Sequence, residues 1–225
     1  MRAAKTGGVA RHHARRLRLV ECENQWPRQP DGEGFRRLLF RARHRQGQGT
    51  PPAPVILPSG VYAVGTSYHV KLGHAWSDVS QVIVGASPKV KVLTLDGPLL
   101  NRLYLTDGLS PGEYLVKPPK SDHATPPYHE RMSPTELVEF ISDSVSAQGY
   151  AKVESLNLRP AQFRGVSAIR FDLTAVTDAG LNMQGTGEVA EISGKLFVML
   201  YLAPQEHYFA ANLPEVESIF ASATT

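Results

Sequence analysis

The sequence contains a single cysteine, Cys22, so no disulfide can form within its 225 residues. Long apolar runs are lacking too: none approaches the roughly 18 residues of a membrane-spanning helix. The N-terminus also lacks the uninterrupted apolar stretch of roughly 7 to 15 residues that a secretory signal needs. We therefore predict a chain that is soluble as written, carries no transmembrane segment or export signal, and is held together by packing alone.

Motifs of catalysis are also lacking. The sequence has no Gly-x-Ser-x-Gly nucleophile elbow, no P-loop and no dinucleotide fingerprint. The run Gly185-Thr186-Gly187 lies within a predicted strand, where it indicates a bulge or a close approach of the backbone. Glu188 and Glu191 are three residues apart on that strand and are expected on opposite faces. We predict no catalytic residue and no cofactor, and an enzymatic function is left open.

Charge is distributed unevenly along the chain. Residues 1–50 carry 12 Lys and Arg against 4 Asp and Glu, whereas the remainder carries 12 against 17. The first 50 residues show no helical or strand periodicity and have too little apolar surface to offset the entropy of ordering. Three interpretations stay open: a disordered or transit-like basic leader, a nucleic-acid-binding arm, or a misplaced start or reading frame. The second is weaker because only Trp26 and Phe35 could stack on bases.

Proline marks the boundary of the folded domain. Residues 51–66 contain Pro51, Pro52, Pro54 and Pro58, and this composition favours an extended spacer. We therefore predict a Pro-rich linker at 51–66 and a folded domain at 67–225.

The first half of that domain is predicted to consist of strands. Polar and apolar residues alternate in three segments, and two further short segments end at turn signals. The predicted strands are Tyr68–Leu72, Val79–Val84, Val90–Leu95, Leu100–Thr106 and Glu113–Lys117. Asp96 and Asp107 each precede a glycine, so they are predicted to form turns and not to act as catalytic acids.

A capping box predicts the start of a helix. In Ser133-Pro134-Thr135-Glu136 the serine oxygen can accept from the Glu136 amide while the Glu136 side chain reaches back to Ser133. Leu137, Ile141 and Val145 form an apolar stripe, and Gly149 ends the segment. We therefore predict an amphipathic helix lying on a sheet.

The second half of the domain predicts an antiparallel meander closed by a helix. Leu196–Leu202 is apolar on both faces, so this strand should be central. The predicted elements are strands at 151–158, 166–177, 182–192 and 196–202, a short helical stretch after Pro204 and a last helix at 215–223. The predicted class is α+β, an antiparallel β-sheet covered by helices in an α/β/α sandwich.

The end of the chain resembles a known group. The run Gly194-Lys195-Leu196-Phe197-Val198-Met199-Leu200-Tyr201-Leu202-Ala203-Pro204, followed by Tyr208-Phe209 and Leu213–Phe220, resembles the PsbP/DcrB-like group of Mog-type sandwiches, over residues 67–225. The resemblance implies a non-enzymatic, often lipid-anchored accessory protein of the cell envelope or periplasm that binds another protein. The chain has no lipobox cysteine, which leaves the cytoplasm as the alternative location.

A metal site is the best chemical candidate. Asp122, His123, His129 and Glu130 lie in the Pro-rich loop Pro118–Met132, and their side chains are of the types that bind divalent ions. The alternative is a solvated polar loop. Three hypotheses follow: an envelope accessory protein that binds a protein, a metal- or small-molecule-binding protein or enzyme that uses this loop, and a nucleic-acid binder that uses the leader.

Overall fold

The computed structural model describes residues 53–83, 85–118 and 124–225. Segments in which apolar side chains alternate, separated by turns, form ten strands within these residues. The strands are β1 (Val55–Leu57), β2 (Gly60–Val64), β3 (Tyr68–Leu72), β4 (Trp76–Asp78), β5 (Val90–Thr94), β6 (Arg102–Thr106), β7 (Ala151–Phe163), β8 (Val166–Val176), β9 (Asn182–Ile192) and β10 (Lys195–Pro204). Two α-helices, α1 (Pro134–Ser146) and α2 (Ala210–Ala221), and an irregular π-helical stretch, Gln205–Phe209, complete the described elements.

Eight of the strands form one antiparallel sheet in the order β1-β4-β5-β6-β10-β9-β8-β7, while β2 and β3 form a separate hairpin. β10 pairs with β6 on one side and with β9 on the other. Its residues from Leu196 to Pro204 are all buried. The central position predicted for this strand is therefore confirmed, because only a strand covered on both faces keeps every side chain from solvent.

Two apolar cores lie on opposite faces of the sheet. On one face, α1 contributes Leu137 and Ile141, which contact side chains such as Val198 of β10. On the other face, α2 contributes Val216 and the hairpin contributes Tyr68. They form a cluster with every second residue of β10, whose side chains point to this face. Helices thus cover both sides, and the predicted α+β sandwich is confirmed.

The capping box forms as predicted. The Ser133 amide donates to Glu136 Oε2 at 2.6 Å, and the Glu136 amide donates to Ser133 Oγ at 3.3 Å. Pro134 occupies the first turn, where no backbone amide is needed. Two of the otherwise unpaired amides at the start of α1 are therefore satisfied locally.

The β2–β3 hairpin is fixed to both the sheet and α2. The Asp107 carboxylate accepts the backbone amides of Thr66 and Ser67, at 3.0 and 2.9 Å. At the other end, the amide of Gly73 donates to Glu215 of α2 at 2.6 Å, and the amide of Lys71 donates to Ser222, the residue that follows α2, at 2.8 Å. The hairpin and α2 therefore cover one face of the sheet as a single layer.

Residues 51–66, predicted to be a linker, contain two strands in the structure. Val55 pairs with Asp78 in the sheet, and Gly60 pairs with Leu72 in the hairpin. Pro54 and Pro58 flank the three residues of β1 and do not interrupt them, which is the position an edge strand tolerates. Strands of the domain are thus already present about a dozen residues before the predicted boundary.

Two predicted strands are largely replaced by turns. After β4, Asp78 Oδ1 accepts both the amide and the hydroxyl of Ser80, at 2.9 and 2.5 Å, so a local turn forms over residues 79–83 in place of the strand predicted at Val79–Val84. Val84 itself lies outside the described residues. In the segment Glu113–Lys117 only Val116 makes a β-bridge. The Glu113 side chain accepts the Ser110 amide at 2.6 Å, which again favours a turn.

The connection from β10 to α2 differs from the predicted short helix. Gln205–Phe209 contains two residues with non-helical backbone angles, and His207 has a φ of 71°. α2 then begins at Ala210, five residues before the predicted start, so Pro214 lies inside the helix. The proline removes one backbone hydrogen bond from the first turns of α2.

Candidate functional site

The structure describes only two of the four residues predicted to bind a metal ion. Asp122 and His123 lie outside the described residues, while His129 and Glu130 are both exposed. Within the described ranges, no group of three or more His, Cys, Asp or Glu side chains could hold a metal ion. The metal hypothesis stays a prediction, because half of its candidate ligands fall where the structure is not described.

Tyr128 gives the described part of this loop a structural role. Its side chain is fully buried, and its ring meets Phe140 of α1 edge to face with centroids 6.3 Å apart. Its amide donates to the Glu113 carbonyl, and its carbonyl accepts from the Gly112 amide, both at 2.8 Å. The loop from 124 to 132 is therefore anchored to the body of the domain just before His129.

A polar cluster that is buried except for Glu217, and that the sequence did not reveal, lies between the sheet and α2. We call Arg170, Thr186, Glu188 and Glu217 the Arg170 cluster. Arg170 of β8 stands directly opposite Glu188 of β9 in the strand register. Its Nε donates to Thr186 Oγ1 at 3.1 Å, and one terminal nitrogen donates to Glu217 of α2. Arg170 thus contacts two sheet strands and a helix at once.

Glu188 is the least satisfied member of the Arg170 cluster. Its side chain is 7% exposed, and its Oε2 lies 3.7 Å from Arg170 Nη1. Its Oε1 is buried with no hydrogen-bond partner among the described residues, as is the hydroxyl of Tyr68. Burial raises the pKa of Glu188; the Arg170 charge acts against that rise and the Glu217 charge adds to it. A buried carboxylate in this setting costs free energy to keep ionised.

The Arg170 cluster continues to the surface through Asp172. Thr186 Oγ1 lies 3.3 Å from Asp172 Oδ1. Asp172 also accepts from Asn157 Nδ2 at 3.0 Å and from both terminal nitrogens of Arg159 at 3.2 Å. Burial works to raise the pKa of Asp172, but these hydrogen bonds and the Arg159 charge outweigh it and hold the pKa below its usual range. Polar contacts therefore run from the half-exposed Arg159 to the buried Glu188.

The outermost strand presents apolar side chains beside this polar chain. Leu156 and Leu158 of β7 are each 44% exposed. The neighbouring Arg159 has a 45% exposed side chain. We call Leu156, Leu158, Arg159 and Asp172 the β7 platform. Arginine is enriched at surfaces that bind proteins, and the exposed leucines add apolar surface beside it that a partner can cover.

The β7 edge is irregular. Its register with β8 shifts between Ala151 and Glu154 and again between Leu156 and Arg159. Lys152 and Asn157, which fall at these shifts, have φ values of 49° and 53°. Such bulges bend a strand and interrupt the row of groups that a second strand could pair with.

The pattern that hides the Arg170 cluster is ordinary strand alternation. Arg170 and Asp172 alternate with apolar residues, so the sequence suggests a solvent-facing side of β8. In the structure α2 covers part of that side, and Glu217 comes from 47 residues further along the chain. The small apolar residues on the same face, Ala168 and Ala190, are the sequence signal from which this cover could have been inferred.

No family model matches this chain, and no curated protein matches its sequence. Among solved structures, the chain is similar to the solution structure of cyanobacterial PsbP (CyanoP) from Synechocystis sp. PCC 6803. The two are 16% identical with a TM-score of 0.49, over 80% of this chain and 95% of that chain.

Two further solved structures are similar to this chain. LpqN of Mycobacterium tuberculosis, described as involved in cell envelope biogenesis, is 13% identical, with a TM-score of 0.33 over 79% of this chain and 86% of that chain. The Saccharomyces cerevisiae Ran-binding protein Mog1p is 10% identical, with a TM-score of 0.43 over 75% of this chain and 89% of that chain. These structures include a PsbP-type and a Mog-type protein, the kinds of protein that the end of the sequence resembles.

Proposed function

We propose that residues 53–225 form a non-enzymatic accessory module that binds another protein through the β7 platform. The observation that carries the proposal is the pair of leucines, Leu156 and Leu158, each 44% exposed beside Arg159. Two such leucines on one strand present apolar surface that a partner can remove from water. At about 25 cal/mol per Å² of apolar surface, this burial is enough to contribute measurable affinity.

Arg159 strengthens this surface because it is held before any partner arrives. Its Nη1 donates to the Asn157 carbonyl at 2.8 Å, and both terminal nitrogens contact Asp172. Fixing a free arginine side chain costs roughly 2 kcal/mol of conformational entropy. Because Arg159 is already held by these hydrogen bonds, it loses less entropy when a partner binds. The planar guanidinium is therefore ready to stack on an aromatic side chain of the partner.

The partner is expected to contact side chains of β7 and not to add a strand to its edge. Arg164 and Gly165 have positive φ in the two-residue turn between Phe163 and Val166. A two-residue turn makes the pair that flanks it hydrogen-bonded, and hydrogen-bonded and non-hydrogen-bonded pairs alternate from there along the two strands. Pro160 falls in a non-hydrogen-bonded pair, so its ring nitrogen points away from β8. A proline at that position removes a donor from the free edge, and the bulges interrupt the rest.

The partner chemistry follows from these features. The strand register places Leu156 and Arg159 on the face of Asp172 and Arg170, so a surface with an aliphatic side chain to cover Leu156 and an aromatic ring to stack on Arg159 fits the β7 platform, with Leu158 extending the apolar surface at the bulge. The cell envelope is the compartment that we propose for this complex, and the sequence resemblance to the PsbP/DcrB-like group supports it. No helix within the described ranges has both the length and the apolar character needed to cross a membrane.

Site-specific photo-crosslinking in the native host tests the proposal. A crosslinking amino acid is placed at Leu158, or as a matched control at Val61 of β2, which is 77% exposed. We expect one protein adduct from position 158 that position 61 does not give. The double variant L156S/L158S should reduce recovery of that adduct about tenfold when the crosslinking amino acid is placed instead at Glu154, an exposed β7 residue outside the platform. Equal adducts from both positions, or recovery unchanged by the double variant, would contradict the proposal.

A further inference from the structure

Arg170 is shared between two carboxylates that belong to different layers of the sandwich. Glu188 lies on the neighbouring strand, and Glu217 lies on α2. The ring of Phe220, also on α2, lies 4.6 Å from the Arg170 guanidinium carbon. One arginine therefore links α2 to β8 and β9 by an ion pair and a cation–π contact.

The groups around Glu188 leave its negative charge only partly compensated. Arg170 faces it from β8, Glu217 from α2 and the Tyr68 hydroxyl from β3. Met199 stands opposite it on β10. One cation thus serves two carboxylates, and only the half-exposed Glu217 makes a close hydrogen bond with it. The second carboxylate is enclosed, with one oxygen unpaired among the described residues.

We propose that Glu188 takes up a proton as the medium becomes mildly acidic, leaving Arg170 to Glu217 and holding α2 more firmly on the sheet. The neutral carboxyl removes the repulsion between the two glutamates. Its new O–H can also donate a hydrogen bond inside the cluster, whereas an ionised carboxylate can only accept. This inference goes beyond the proposed binding function and does not depend on it.

The direction of the effect follows from proton linkage. Burial raises the pKa of Glu188 in the folded chain. Between the ordinary glutamate pKa and this raised value, the folded state binds more protons than the unfolded state. The contribution of Glu188 to stability is therefore fully present below the ordinary pKa and is lost as the pH rises through the folded pKa. Asp172, whose pKa is lowered, stays ionised throughout this window.

Two readouts on the full chain test the inference from the ordinary glutamate pKa of 4.5 upward, to pH 8: the melting temperature, and hydrogen exchange of the α2 amides. The variants are E188Q and, as a control, E154Q, which changes an exposed carboxylate on β7. The native chain loses the Glu188 contribution as the pH rises, whereas E188Q does not. We therefore expect the melting temperature of E188Q minus that of the native chain to increase by about 3 °C from the lowest to the highest pH. Exchange in α2 should slow on acidification about threefold more in the native chain than in E188Q.

E154Q should behave like the native chain in both readouts. If E188Q keeps the native pH dependence of α2 exchange, or if E154Q abolishes it, the inference is wrong. The variant E217Q provides a second test should E188Q not fold, because Glu217 is half-exposed. It leaves Arg170 to Glu188 alone and removes the competition that couples Glu188 to α2, while Glu188 stays buried. The pH dependence of α2 exchange should therefore weaken, and an unchanged dependence would overturn the inference as well.

Discussion

Phe171 lies with its ring against the backbone of Gly187, the residue directly opposite it on the neighbouring strand. A Cβ atom built on Gly187 would stand 2.4 Å from the tip of that ring. The sequence prediction of a close backbone approach at Gly185-Thr186-Gly187 is confirmed by this contact. The glycine leaves the space that a large aromatic ring needs within the core on the α1 side.

Replacing this glycine should destabilise the domain. The variant G187A forces the Phe171 ring to move within a packed core, and we expect a loss of about 1 to 3 kcal/mol in unfolding free energy. Urea unfolding followed by circular dichroism measures it. The double variant F171L/G187A serves as the control, because removing the ring should make the two changes less than additive. Strict additivity would show that the ring is not the cause.

The N-cap of α1 provides a second, independent prediction. S133A removes the hydroxyl that accepts the Glu136 amide, and we expect a loss of about 1 kcal/mol in unfolding free energy. S133D restores an acceptor at the helix N-terminus and should recover most of the stability. Both are measured by urea unfolding at neutral pH. If S133D were as unstable as S133A, the capping role would be refuted.

Asp172 predicts a pH dependence opposite in sign to that of Glu188. Its pKa is lowered in the folded chain, so its contribution is fully present above the ordinary aspartate pKa and is lost as the pH falls through the folded pKa. D172N should lower the melting temperature by about 2 to 4 °C at pH 7. The deficit should shrink as the pH drops below the ordinary value. Thermal melts between pH 7 and pH 3 check this, and a constant deficit would contradict it.

The compartment is testable by mass spectrometry of the protein from fractions of its native host. We expect a mature N-terminus near the Pro-rich segment that starts at Pro51, recovered in an envelope fraction. An intact Met1 in the cytoplasm would contradict the envelope proposal and make the basic leader the next segment to examine. In that case, binding to nucleic acid that weakens steeply with salt and needs residues 1–50 would support the third hypothesis.

The sequence predicted those parts of the fold that rest on local chemistry. The Ser133–Glu136 capping box and the apolar stripe behind it gave α1, and the two-faced apolar run at Leu196 gave the central strand. The turn at Ser80 was missed because a side-chain oxygen of Asp78 competes with the strand, which alternation alone does not show.

The candidate surface was beyond sequence reasoning for a physical reason. The Arg170 cluster joins residues from β8, β9 and α2, and its partners are far apart along the chain. Alternation marks Arg170 as polar and therefore as exposed, and only the tertiary position of α2 makes it buried. The β7 platform likewise depends on which strand lies at the edge of the sheet, and this order is set by long-range pairing.

The central claim is that the β7 platform is the protein-binding surface, and affinity measured by calorimetry against the crosslinked partner tests it most directly. The native chain is compared with L156S/L158S, with R159A and with V61S as the exposed control. We predict that the first two variants weaken binding about tenfold or more while V61S binds as the native chain does. Equal affinity for all four proteins would contradict the account.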